Sequence, residues 1–148
     1  AAAAAAVEAR PVRGRGGARH RAHLQAGAKL QCQFHVGIEE DGRFRAAGRL
    51  LGRGGRNMKA IAERSGAKLR LRGRGSGFLE GRARQESRDP LMLCVSAGDT
   101  SSYDEACRLV RELLVDVHQQ YREYCASEGL PEPALEVWAH EGPRPGGR

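Results

Sequence analysis

From Tyr103 to Tyr124 apolar and aromatic side chains recur every three or four residues: Tyr103, Ala106, Cys107, Val110, Leu113, Leu114, Val117, Tyr121 and Tyr124. That spacing predicts one long amphipathic helix whose inner stripe needs a cover. Ser102, with Glu105 three residues on, reads as its capping box. The helix should stop near residues 125–129, before Pro131 and Pro133. Three short stretches supply the cover by alternating apolar and polar residues, the period of a strand. Residues 33–38 place Phe34, Val36 and Ile38 on one face, and residues 91–97 do the same with Leu91, Leu93 and Val95. Residues 67–72 turn Leu69 and Leu71 inward and leave Lys68, Arg70 and Arg72 on a wholly cationic outer side.

Between the first two strands lie two short helical patterns, 44–51 and 56–65, and the second stops at Gly66. They are joined by Gly52-Arg53-Gly54-Gly55. Glycines let the backbone turn sharply and expose its N–H groups with no Cβ in the way. Arg49, Arg53, Arg56 and Lys59 crowd positive charge around that turn. The helix that starts after it aims the positive end of its dipole at the same place, which makes a seat for phosphate. The whole reads as an α+β fold in the order β-α-α-β-β-α, a three-stranded antiparallel sheet with three helices on one face. Residues 73–90 form an 18-residue loop, a length that is commonly functional or disordered.

Charge sharpens the picture. Between Arg43 and Arg88 there are 14 Lys/Arg against Glu63, Glu80 and Glu86, whereas residues 99–125 carry three basic and six acidic side chains. A basic half beside an acidic half suits an oriented polyanion partner. The Ala/Arg/Gly-rich residues 1–30 have little to bury and read as disordered or weakly helical, and residues 129–148 read as a disordered tail. With Ala1 in place of methionine at its start, the sequence reads as a fragment or a processed product. Its four cysteines, 32, 94, 107 and 125, fit no secreted framework and read as buried thiols of a reducing compartment. Cys32 and His35 have the spacing of half a metal site, with no second pair to complete it. No metal, cofactor, small-molecule substrate or membrane partner is expected. Catalysis is not expected either: the P-loop spacing is absent, and no nucleophile, base and orienter fall together.

The element order, with this loop between the first two helices, resembles a type I K-homology (KH) domain over roughly residues 33–126, within a domain read at 31–128. Leu51-Gly52-Arg53-Gly54-Gly55-Arg56-Asn57-Met58 fits that family's Ile-Gly-x-x-Gly-x-x-Ile signature. Gly66-Ala67-Lys68-Leu69-Arg70-Leu71 is similar to its Gly-Ala-Lys-Ile-x-Ile second strand. Gly48-Arg49-Leu50-Leu51-Gly52 and Arg72-Gly73-Arg74-Gly75-Ser76 resemble the STAR and branchpoint-bridging subgroup, which binds single-stranded RNA in splicing and mRNA control. That subgroup places proline, then Arg, Lys or Gln, inside its loop; here Arg53 and Gly54 stand there.

The resemblance implies single-stranded RNA as the partner, about four nucleotides in a groove. Gly52, Arg53, Gly54 and Gly55, with Arg49, Arg56 and Lys59, would hold the sugar-phosphate chain. Leu51, Met58, Ile61 and Leu69 would floor the groove, and Lys68, Arg70, Arg72 and Arg74 would line its far side. Leu51, Met58, Ile61 and Leu69 also read as core residues, and Arg82, Arg84 and Arg88 as solvated positions. The scarcity of aromatic residues argues against an RNP-type stacking platform. A protein-interaction module on the same fold and a single-stranded DNA binder are the competing readings. Nucleus and cytoplasm both stay open.

Overall fold

The computed structural model describes residues 29–144. In order, the elements are β1 (Leu30–His35), α1 (Ala46–Leu51), a 3-10 turn (Arg53–Gly55), α2 (Arg56–Ser65), β2 (Lys68–Arg72), β3 (Met92–Ala97), α3 (Thr100–Ser127) and β4 (Ala139–Glu141). The sheet is antiparallel with strand order β2-β3-β1-β4. Among the described residues it therefore has four strands where the sequence predicts three. The fourth comes from the segment read as a tail: Phe34 pairs with Ala139 and Cys32 with Glu141. Just before it, the Trp138 indole stacks on the His35 ring with centroids 4.3 Å apart. No periodicity announces a three-residue strand whose partner lies over a hundred positions away.

β1 also begins earlier than its apolar alternation suggests. It ends at His35, opposite Met92 at the start of β3, so the partner's length sets the boundary. Val36 and Ile38 stay buried beyond the strand, and the Val36 N–H still donates to the Leu91 carbonyl at 3.1 Å.

α3 lies across β3 and β1, with α2 beside it and β2, and α1 against both helices. Phe34, Leu93, Val95, Val110, Leu114 and Val117 form the middle of the core, each essentially without solvent contact. The α3 cap is Asp99, not Ser102: its carboxylate accepts the Ser102 N–H at 2.8 Å and the Ser102 hydroxyl at 3.0 Å. Glu105 pairs instead with Arg108, which also reaches Glu112 one turn on. His118 is buried on the inner face of α3 with its Nε2 2.7 Å from the Val36 carbonyl. Burial pushes that imidazole below its usual range, which keeps it neutral and structural.

The acidic turn after β1 has a definite task. The Glu40 carboxylate accepts the Ala47 N–H at 3.0 Å, satisfying a first-turn amide of α1 that no N-cap side chain covers. Asp41 accepts the N–H groups of Arg43 and Phe44, and those two bonds hold its carboxyl below the usual range.

Candidate nucleic-acid interface

α1 gives way to α2 through three glycines of positive φ. Gly52 has φ 76° and ψ 166°, Gly54 φ 65° and Gly55 φ 79°. The Gly52 conformation is open essentially to glycine alone. Space closes it further, since a Cβ there would sit 2.7 Å from Asn57 Cγ and 2.9 Å from the Asn57 backbone nitrogen. Asn57 uses that closeness: its Nδ2 donates to the Arg49 carbonyl at 3.0 Å and ties the first turn of α2 to the last turn of α1. Around Gly54 nothing lies within 4 Å, so the tip of the loop is open.

The charge around that tip is one-sided. The first turn of α2 has no acidic residue, and its N-cap, Gly55, has no side chain to cap with. Arg53, Arg56 and Lys59 are exposed there. Among the described residues, none of the three side chains makes an ion pair or hydrogen bond. Free cations at an uncapped helix start form an anion seat.

Beside the loop, Leu51, Met58 and Leu69 are half-buried on the rim of the core, and Ile61 lies beneath them at 7% exposure. Among the described residues β2 is an edge strand, and the backbone groups along its outer side face no further strand there. Loop tip and apolar rim thus belong to α1, α2 and the turn between them, and β2 packs beside α2.

Five of the cations expected around such a groove stand elsewhere. Arg49 lies over the Phe44 ring with its guanidinium carbon 4.1 Å from the centroid. Its Nε donates to the Phe44 carbonyl at 2.7 Å and another guanidinium nitrogen to Gln120 at 2.8 Å, so it braces α1 against α3. Arg74 pairs with Glu39 at 3.3 Å and donates to the Arg88 carbonyl, fastening the base of the β2–β3 loop. Arg70 and Arg72 project from the sheet face opposite the helices, as does Lys68. The register proves this for all three, because Lys68, Ser96 and Gln31 share one row, Arg70, Cys94 and Gln33 the next, and Arg72, Met92 and His35 the third. The alternate rows, such as Leu71, Leu93 and Phe34, face the helices.

The 18-residue loop is ordered rather than loose. Glu80 and Gln85 form an isolated bridge, and Glu86 accepts the N–H groups of Gly75 at 3.0 Å and Gly77 at 2.6 Å. Gly73 passes so close to the chain that a Cβ would meet the Pro90 carbonyl oxygen at 2.2 Å. Glu80 ties the loop to the sheet through Arg72 at 3.1 Å and to the segment after β4 through Arg144 at 2.7 Å. Asn57, Phe78 and Arg144, none singled out by spacing, are therefore part of what shapes the two faces of β2. Asn57 lies inside the loop signature and carried a legible clue; Arg144 carried none.

An antiparallel sheet backed by helices, with a glycine-turned anion seat between the first two of them, defines a type I KH domain. The family model described as KHDC4/BBP-like, KH-domain type I, matches residues 40–115, and the chain belongs to that family. Protein RIK of Arabidopsis thaliana is 33% identical over 98 residues, which cover 66% of this chain and 17% of that protein. An uncharacterized protein of Schizosaccharomyces pombe is 27% identical over 93 residues, 63% of this chain and again 17% of the relative. The chain thus spans about a sixth of the length of these relatives. KH domains are non-enzymatic and bind single-stranded nucleic acid. Among the described residues no helix is long and apolar enough to cross a membrane, and no group of three His, Cys, Asp or Glu is placed to hold a metal ion.

Proposed function

We propose that this domain binds about four nucleotides of single-stranded RNA in the groove between the glycine loop and the edge of β2. The observation that carries the reading is the positive charge of Arg53, Arg56 and Lys59, unpaired among the described residues, at an uncapped helix start beside an apolar rim. Phosphates would lie at the loop, held by backbone N–H groups and those cations, which fixes the register of the strand. Base faces would cover Leu51, Met58, Ile61 and Leu69, while the backbone of β2 meets base edges. Through the resemblance to the branchpoint-bridging subgroup, the process served is pre-mRNA splicing or mRNA regulation, in the nucleus or the cytoplasm.

The test is fluorescence anisotropy of the 148-residue chain with short randomised single-stranded RNA and DNA, wild type beside the Arg53→Asp/Gly54→Asp variant. Each charge at the loop is worth about 1 kcal/mol against a phosphate 4 Å away in bulk water and ~4 kcal/mol at a protein surface. The variant should therefore lose roughly a hundredfold in affinity. Its circular dichroism should be unchanged, because nothing packs on Gly54. Equal affinity of the two proteins would refute the groove. Tighter binding of DNA than RNA would reassign the substrate, and no binding by either folded protein would favour a protein-interaction module.

A further inference from the structure

We propose that the face of the sheet turned away from the helices is a second seat for the same nucleic-acid strand, taking nucleotides that leave the groove across the edge of β2. The proposal rests on the groove reading, since it concerns the continuation of the strand held there. A cavity of about 660 Å³ opens on that face, floored by the rows that contain Gln31 and Gln33 and walled by Phe78–Gly81 of the β2–β3 loop and by Pro143 and Arg144. A volume of this size holds a nucleotide or two.

Its chemistry is that of a nucleotide site. Lys29, Lys68, Arg70, Arg72 and Arg144 line it against a single acid, Glu80. Glu80 holds Arg72 and Arg144, the less exposed two, with side-chain exposures of 24% and 17%. Lys29, Lys68 and Arg70 are left exposed, with no acidic partner among the described residues. Phe78 lies under two guanidinium groups, 4.8 Å from Arg72 and 5.4 Å from Arg70, a layered flat surface of the kind on which unpaired bases stack. At the floor Gln33, 2% exposed, donates its Nε2 to the Gly142 carbonyl at 2.8 Å. Its Oε1 is buried beneath the floor and accepts no hydrogen bond among the described residues.

Position selects nucleic acid over an acidic protein segment. The groove and the cavity are separated only by the width of β2, about 5 Å. Among the described residues β2 is an unpaired edge of the sheet, so a chain leaving the groove there meets Lys68 and Arg70 at once. Phosphates on both faces of one edge strand would lengthen the site beyond four nucleotides with no added domain.

The 148-residue chain is titrated with a labelled tetranucleotide and a labelled dodecanucleotide of RNA, as wild type, as Lys68→Glu/Arg70→Glu and as Arg53→Asp/Gly54→Asp. Wild type should bind the dodecamer at least about tenfold tighter than the tetramer, as two added phosphate contacts imply. The outer-face variant should lose that advantage while its tetramer affinity stays within about twofold, and its dodecamer salt slope should become shallower by ~1.4. Lys68→Gln/Arg70→Gln, which keeps the side-chain length, should lose part of the advantage and secures the result if the glutamates perturb the strand. The proposal is overturned if the outer-face variants bind the dodecamer as wild type does, or weaken the tetramer equally. It is also overturned if polyglutamate binding alone is lost in them, which points to an acidic protein. Failure of the groove reading looks different: the loop variant would then bind the tetramer normally while the outer-face variant still weakens the dodecamer.

Discussion

Two loops of this molecule are built from the same two residue types and end in opposite electrostatic states. The loop between α1 and α2, with the first turn of α2, presents Arg53, Arg56 and Lys59 with no acidic partner among the described residues. The loop after β2, Arg72-Gly73-Arg74-Gly75-Ser76-Gly77, is as rich in glycine and arginine. There, however, Glu86 occupies the amides of Gly75 and Gly77, Glu39 takes Arg74, and Glu80 takes Arg72. The second loop is an anion site already filled by the protein's own carboxylates. Glycine and arginine thus prepare a phosphate site, and the absence of local carboxylates decides whether it stays open.

The contrast breaks most visibly at the glycines of the first loop. Gly52→Ala, which drives a Cβ into Asn57 in a conformation open only to glycine, should cost about 3 kcal/mol by denaturant unfolding. Gly54→Ala, in the left-handed helical region with open space around it, should cost about 1 kcal/mol. Equal losses would mean the loop has no fixed inner side.

Glu80→Gln comes next. It leaves Arg72 without its carboxylate and Arg144 with only Asp89, 3.6 Å away, both at low exposure, and should cost about 1–2 kcal/mol, between the limits for exposed and buried pairs. The hydrogen bond from Arg144 holds the Glu80 carboxyl below its ordinary value of 4.5. A carboxyl lowered on folding stabilises above its unfolded pKa, and that contribution disappears as pH falls through the folded value. The difference in stability between wild type and variant should therefore be constant near neutrality and shrink once pH drops below 4.5. A gap that persists in acid would assign the loss to packing rather than to charge.

The smallest effect sharpens the comparison most. Glu86→Ala should move the melting temperature by no more than a few degrees, since it removes two partly exposed hydrogen bonds worth about 1 kcal/mol each or less. Hydrogen exchange at Gly75 and Gly77 should nevertheless accelerate, because those amides then face water. Unchanged exchange there would show that glycine geometry, not the carboxylate, closes the second loop.

What the sequence disclosed and what it hid divide along the same line. Periodicity located α3, β2 and β3, and the glycine spacing located the loop, because each signal is local. The direction of Lys68, Arg70 and Arg72 was legible as well, since alternation with Leu69 and Leu71 sends them away from the helices. Their assignment to the groove did not follow from it. Arg49 shows the limit in one residue: beside the loop in sequence, it turns to Phe44 and Gln120 on the other side of α1. The same holds for Asp99, which caps α3 three residues before the capping box read from Ser102. β4 and Arg144 were invisible because their partners, Cys32, Phe34 and Glu80, lie far away along the chain.

β4 also decides where this protein can safely be shortened. A cut after α3, the natural choice from helix prediction, would uncover the ladder of β1 and strip Trp138 from His35. Both long margins of the sheet would then be bare, and bare strand margins invite pairing between molecules. Such a fragment would retain its glycine loop yet precipitate on storage, and the first sign of trouble would be turbidity rather than lost affinity. Material for structural or binding work is best ended beyond Arg144.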